Sequence, residues 1–279
     1  MRSTTEKTKL MAAAVAAIIA LTVACSSDGS GGMTGVGDVV TVDPAGSGDF
    51  TGLQEAITAV ATGSTVEIRP GTYVGKIVVD KNIRLVGMGG GTVLQAQGSS
   101  QSWPDDSTDD SSAVLEIRGA SGVVIENISV SGPEDGIKII DSSNITVRNV
   151  DASGNGDDGI DVRRSTGITI SGTFSGNGDT GVLVREGSTD VSVDSSQMAL
   201  NTKNGVRVRD CSDSSVNASN ASGNGDDGVL VRDSSGIRVA GSTANDNLGY
   251  GIRVRNSPTT TLDNNQTANN REGSVREDQ

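Results

Sequence analysis

The amino-acid sequence predicts an all-β chain wound as a stacked solenoid, and three periodic observations carry that prediction. Glycines recur at Gly136, Gly159, Gly181, Gly205, Gly228 and Gly251, in steps of 23, 22, 24, 23 and 23 residues. Each is followed by an aliphatic alternation: Ile137/Ile139, Ile160/Val162, Val182/Val184, Val206/Val208, Val229/Val231 and Ile252/Val254. Asparagines keep the same beat at Asn155, Asn177, Asn201, Asn224, Asn247 and Asn270. A period of two marks a strand, and a fixed repeat of this length marks coils stacked on one another. Such coils bury their apolar sides only against their neighbours, so the repeat itself sets the architecture.

Composition agrees. Only 2% of the 279 residues are aromatic and 38 are glycine, which suits a narrow tube filled by Val and Ile rather than a globular core. The net charge of −13 leaves no general basic surface, so no nucleic-acid partner is expected. The chain has no histidine, which excludes His-dependent triads, His-ligated metals and imidazole acid–base chemistry.

In chain order, basic Arg2, Lys7 and Lys9 precede an apolar run from Leu10 to Val23. That run is shorter than the ~20 residues that span a bilayer as a helix. Leu21-Thr22-Val23-Ala24-Cys25 resembles the lipobox of a bacterial lipoprotein signal, departing from it at Thr22, where leucine is usual. The resemblance implies a signal peptide over residues 1–24, lipidation of Cys25 and a Gly/Ser-rich tether over 25–38. The exported chain would then be lipid-anchored in the cell envelope, with the anchor as its only membrane contact. An ordinary secretory signal that happens to contain a cysteine is the alternative.

Order is expected from Val39-Val40-Thr41-Val42 onward, as a β-helix spanning residues 39–279. Thr51 with Gln54 reads as a capping box, and Leu53, Ile57 and Val60 share one helical face. A short helix there would plug the open end of the tube and shield its first strand edges. Short strands follow around Val66–Ile68, Ile77–Val79 and Ile83–Val86.

Three segments then resemble a known superfamily: Asp49-Phe50 with Leu53-Gln54-Glu55-Ala56-Ile57, then Pro70-Gly71-Thr72-Tyr73, then Ile83 with Leu85-Val86-Gly87. They are similar to the opening of pectin-lyase-like right-handed parallel β-helices, and the downstream coils resemble that group's generic β-helix repeats. The resemblance covers roughly residues 39 to 273 and implies a single-stranded right-handed parallel β-helix. It specifies fold rather than chemistry, because the superfamily includes lyases, hydrolases, esterases, epimerases and proteins without catalytic activity.

Residues 96–112 break the period and read as an extruded loop. Coils resume at Val114-Leu115-Glu116-Ile117. A second strand is marked by Val123/Ile125, Ile145/Val147, Ile168/Ile170, Val191/Val193, Val216/Ala218 and Ile237/Val239. A weaker third lies around Val150, Phe174, Met198, Ala221 and Ala244. Three strands per 22–24-residue coil, in eight or nine coils, would stack equivalent residues at ~4.8 Å. Gly273-Ser274-Val275 reads as the start of one more coil, with no helix to cap that end.

Two sets of polar residues share this period on the outside. Glu134, Asp157 and Asp179 form one acidic column and Asp135 with Asp158 the next, and Asp226 and Asp227 repeat the pattern beyond Lys203 and Asn204. Carboxylates stacked this closely repel unless a proton or cation separates them. Three readings follow: ordinary Asp-Gly turns, a Ca²⁺ site on Glu134, Asp135, Asp157, Asp158 and Asp179, or a catalytic acid pair drawn from Asp157, Asp158 and Asp179. Asp157-Asp158-Gly159-Ile160 is similar to the paired-aspartate motif of polygalacturonases, but the Gly-His-Gly and Arg-Ile-Lys motifs of that family are absent. Neither a pectin methylesterase signature nor the His/Tyr pattern of alginate epimerases is present. The second set is an arginine column, Arg163, Arg185, Arg209, Arg232 and Arg255, suited to carboxylates or sulfates along a polymer. Neighbouring Glu186, Asp210 and Asp233 give it an ordinary reading as surface ion pairs. Cys211 aligns with Ser165, Gly187, Ser234 and Ser257 and reads as a small turn residue.

The expected function is an envelope-anchored module that binds polysaccharide or another extended polymer. The alternatives are a polysaccharide-degrading enzyme (a Ca²⁺-dependent lyase or a two-carboxylate glycoside hydrolase) and an architectural envelope protein. Growth with a radiolabelled fatty acid should mark the wild-type chain and miss Cys25→Ala; equal labelling of both contradicts the anchor.

Overall fold

The computed structural model describes residues 37–96 and 113–278. The expected signal peptide, Cys25, nearly all of the tether and all but Ala96 of the expected loop lie outside them. Two long parallel sheets are stacked from successive coils. One runs through ten strands: Val39–Val42, Thr65–Ile68, Arg84–Gly87, Val124–Glu126, Ser143–Asp151, Thr166–Thr173, Thr189–Asp194, Ser215–Asn217, Arg238–Ala240 and Thr261–Asp263. The other has nine: Ile77–Val79, Ala113–Arg118, Asp135–Ile140, Ile160–Arg163, Val182–Arg185, Val206–Arg209, Val229–Arg232, Tyr250–Arg255 and Gly273–Asp278. They are called here the first and second sheets.

The register reproduces the sequence period. Ile137 pairs with Ile160, Ile160 with Val182, Val182 with Val206, Val206 with Val229 and Val229 with Ile252, every pair parallel. The third side of each coil is the weakest, as its sequence implies. Strands Gly71–Val74, Thr92–Gln95 and Ser129–Ser131 begin it, and from Thr173 it continues as single bridges through Gln197, Asn220, Thr243 and Gln266. The ten strands of the first sheet exceed the eight or nine expected coils, because the opening coils lack the glycine–asparagine mark that makes the others countable.

The two sheets turn their aliphatic residues inward, where Ile137, Ile160, Val182, Val206, Val229 and Ile252 are fully buried. Each such side chain contributes about 1.5–3 kcal/mol of hydrophobic stabilisation. Phe174, Met198, Ala221 and Ala244, also fully buried, fill the third corner.

The buried asparagines join coil to coil. Asn155, Asn177, Asn201, Asn224 and Asn247 each donate both their backbone N–H and their Nδ2 to the Oδ1 of the next asparagine, ending at Asn270. Backbone donor distances are 2.8–3.0 Å. The ladder satisfies corner N–H groups that no strand partner reaches. Beside it, a Cβ on Gly159 would lie 2.6 Å from the Gly181 carbonyl oxygen, so the close approach of coils requires glycine there. A parallel ladder of serines has Cys211 in one rung: its N–H donates to Ser234 Oγ and its Sγ lies 3.0 Å from the Arg209 carbonyl. The rung above is Ser188, not Gly187, because that coil carries one extra residue after Arg185.

The helix Leu53–Ala59 buries Leu53, Ala56 and Ile57 against the N-terminal end of the tube. Its capping box does not form: Gly52 is the N-cap, with no side-chain cap. Gln54 instead donates Nε2 to the Val78 carbonyl (3.2 Å) and accepts the Val78 N–H on Oε1 (2.7 Å). Its amide thus stands in for a neighbouring strand at the free edge of Ile77–Val79, the protection expected of this helix.

Asn201→Ala should leave the buried Asn177 N–H without an acceptor and cost about 2–3 kcal/mol in urea unfolding, whereas Asn220→Ala, which loses only a side-chain bond to the exposed Gln197, should cost little. Equal, small losses in both would contradict a stabilising ladder.

Candidate functional site

Alternation in the second sheet sends Ile137 and Ile139 inward and Lys138 outward. Register then builds one outward stripe: Glu116, Lys138, Asp161, Leu183, Arg207, Leu230 and Arg253. At its start Glu116 is held by Lys76 (2.8 Å) and Arg118 (2.6 Å). Two residues further along the strands lies the arginine column, with Arg163 beside Arg185 and Arg232 between Arg209 and Arg255.

The acidic corner precedes the stripe. The Asp158 N–H donates to Asp135 Oδ1 (3.0 Å) and the Thr180 N–H to Asp158 Oδ1 (2.9 Å), so each carboxyl caps the following coil. This stacking brings carboxyl oxygens of Asp135, Asp157 and Asp158 within 4.8 Å of one another. Glu134 and Asp179 flank Asp157 in its column through backbone hydrogen bonds of 3.2 and 3.0 Å, outside that cluster. Asp179 also pairs with Lys203 at 2.7 Å.

Cations close the cluster on its sheet side. Lys138 Nζ lies 3.5 Å from Asp135 Oδ2. Asp161 accepts from Arg163 Nε (2.6 Å) and from Arg185 Nε and Nη2 (3.1 and 2.9 Å). Asp135, Lys138, Asp158, Asp161 and Arg163 are buried, while Asp157 and Arg185 keep partial access to solvent. Buried charges of this kind persist only when paired.

Burial, with the charges of Asp135 and then Asp157, pushes the Asp158 carboxyl up to about 9, so it holds a proton at neutral pH. Burial and the Asp179 charge also raise Asp157. A protonated carboxyl thus stands beside ionisable ones, the arrangement that divides acid from base. Three carboxyls form part of the oxygen shell that Ca²⁺ requires, and an ion there would take the place of the Asp158 proton and compete with Lys138 for Asp135. The second Asp-Asp-Gly corner is milder. Asp227 Oδ1 accepts the Tyr250 N–H (2.7 Å), and burial raises this carboxyl to about 6. Its recurrence identifies N–H capping as the structural task of the column.

The arginine column keeps the predicted register from Arg163 to Arg185 and from Arg209 through Arg232 to Arg255, but most of its members are committed to acids. Arg163 and Arg185 hold Asp161, Arg209 lies 3.0 Å from Asp210, and Arg232 lies 2.8 Å from Asp233; Arg255 is exposed. Sequence reasoning overlooked Lys138 and Asp161. Their signal was the polar residue between two aliphatics in Ile137-Lys138-Ile139 and Ile160-Asp161-Val162, which places both on the outer side.

Residues 112–276 match the family described as the right handed beta helix region. Among solved structures, the pectin methylesterase from carrot is 13% identical with a TM-score of 0.53, covering 88% of this chain and 90% of its own. Tailspike protein 2 of an Escherichia coli O157:H7 bacteriophage is 14% identical with a TM-score of 0.56, covering 73% of this chain and 30% of its own. The A-module of an Azotobacter vinelandii mannuronan C-5 epimerase is 17% identical with a TM-score of 0.45, covering 80% of this chain and 91% of that module. No curated protein sequence matches.

The Asp158 value gives a pH signature. Between the ordinary carboxylate value of 3.8 and about 9, the folded chain keeps a proton that the unfolded chain has released. The resulting stabilisation is complete below that lower value and is lost as pH rises through the upper one. Unfolding midpoints should therefore fall from pH 5 to pH 9, and Asp158→Asn should flatten the decline. An unchanged slope in that variant contradicts a buried protonated carboxyl.

Proposed function

The chain belongs to the right-handed β-helix family, and from that premise we propose that it engages an extended acidic polysaccharide along the outer side of the second sheet. The observation that carries this reading is that Asp157 and Arg185 keep access to solvent on one face, above the buried cluster of Asp135, Asp158, Lys138 and Arg163. A flat row of parallel strands repeats at ~4.8 Å, close to the spacing of sugar units along a chain, so successive coils meet successive residues. The name of the carrot neighbour ties a similar architecture to a polysaccharide, pectin. At −13 overall the protein repels polyanions at long range, so affinity is expected to be micromolar to millimolar. Export and attachment at Cys25, supported by Leu21–Cys25, would hold this face at the cell envelope.

The protonated Asp158 favours a second reading, hydrolysis. Asp158 would donate its proton to the glycosidic oxygen while Asp157, too close to leave room for a water, attacks the anomeric carbon. Water would then hydrolyse the glycosyl ester, giving its proton back to Asp158. Asp135 holds the Asp158 backbone and helps keep its carboxyl protonated.

Polygalacturonate and alginate should be retained by the wild-type protein and dextran should not; equal retention of all three, or of none, contradicts the acidic-glycan face. Release of reducing ends, if hydrolysis holds, should fall at least ~100-fold in Asp157→Asn/Asp158→Asn. Release that persists in that variant overturns the hydrolytic reading while leaving the binding reading in place.

A further inference from the structure

On the outer side of the second sheet, acids answer nearly every cation described above. Apart from the exposed Arg255, Arg207 is the exception. It sits in the outward stripe between Leu183 on one coil and Leu230 on the next. Its Nε, like those of Arg209 and Arg253, is buried without a hydrogen-bond partner, but unlike those two it forms no ion pair among the described residues. The side chain is half-buried, Leu230 is buried and Leu183 is half-buried, so apolar walls flank the guanidinium along the stripe. Neighbouring Arg209 and Arg232 add positive charge to the same face, although each has its own aspartate.

A desolvated guanidinium with an unused donor is costly unless something answers it. Burial first, then Arg209, depresses the Arg207 pKa below the ordinary arginine value. A bound anion would offset both effects by its charge. The planar fork of arginine suits the two oxygens of a carboxylate or sulfate, and leucines suit the C–H faces of a sugar ring.

We infer that Arg207, walled by Leu183 and Leu230, is an anion subsite that takes the carboxylate or sulfate substituent of a saccharide. The inference rests on the reading that this face holds a glycan, and it moves the anion anchor from the ion-paired arginine column to the adjacent stripe. Arg207 lies two coils beyond the Asp158 corner, so one chain can occupy both places.

The test follows the Arg207 Nε–H resonance in the full chain, assigned by its loss in Arg207→Leu, while calorimetry measures binding in the same samples. Oligogalacturonate, dextran sulfate and neutral dextran are the three probes. Oligogalacturonate or dextran sulfate should shift the resonance saturably, and whichever does so names the substituent; neutral dextran should not. Arg207→Leu should weaken that probe at least tenfold, Arg207→Lys by less, and Arg232→Ala less than threefold. Calorimetric binding with an unmoved Arg207 resonance overturns the subsite and leaves the glycan face standing. Absence of both binding and shift overturns both.

Discussion

Everything in this molecule depends on hydrogen bonds that run from coil to coil. Parallel pairing supplies them along the strands, but at the corners the backbone turns away from its neighbours and N–H groups would be stranded. Side chains replace the missing partners: the asparagine amides inside one corner, the serine hydroxyls with Cys211 at another, and the Asp135 and Asp158 carboxyls outside. A group that must meet its own counterpart in the next coil forces the 22–24-residue step, and the step forces glycine where coils approach most closely.

That constraint explains what was legible in the sequence. Gly136 to Gly251 and Asn155 to Asn270 repeat because the interior tolerates few substitutions, so strands, register and ladder follow from spacing alone. Local signals were less reliable. Thr51 and Gln54 spell a capping box, yet Gln54 serves the Val78 edge, because covering an open strand edge outweighs one helix cap. Gly187 matched Cys211 by counting, but the extra residue in that coil makes Ser188 its equivalent. The opening coils carry no periodic mark and escaped the count.

The candidate site was half legible. Asp157 and Asp158 announce themselves as a pair, and their stacking with Asp135 follows from the repeat. Lys138 and Asp161 did not stand out, since a single polar residue between aliphatics is the ordinary outward position of a strand. The arginine column was visible, but which arginines are already neutralised was not. That depends on the acids that share their coil: Asp161 reaches both Arg163 and Arg185, while Arg207 has leucines on both sides. On the first sheet the outward arginines are matched, Arg84 and Arg148 by Glu126 and Arg238 by Asp263. Function is expected where the repeat is broken on the outside, not where it is kept.

On the proposed reading, one outer face, that of the second sheet, is the working surface of an otherwise self-satisfied scaffold. Hydroxyl-radical footprinting with and without oligogalacturonate tests it most directly. Leu183, Arg185 and Arg207 should lose reactivity while Arg148 and Arg238 keep theirs. Protection of Arg148 and Arg238 with Leu183 and Arg207 unchanged would contradict it.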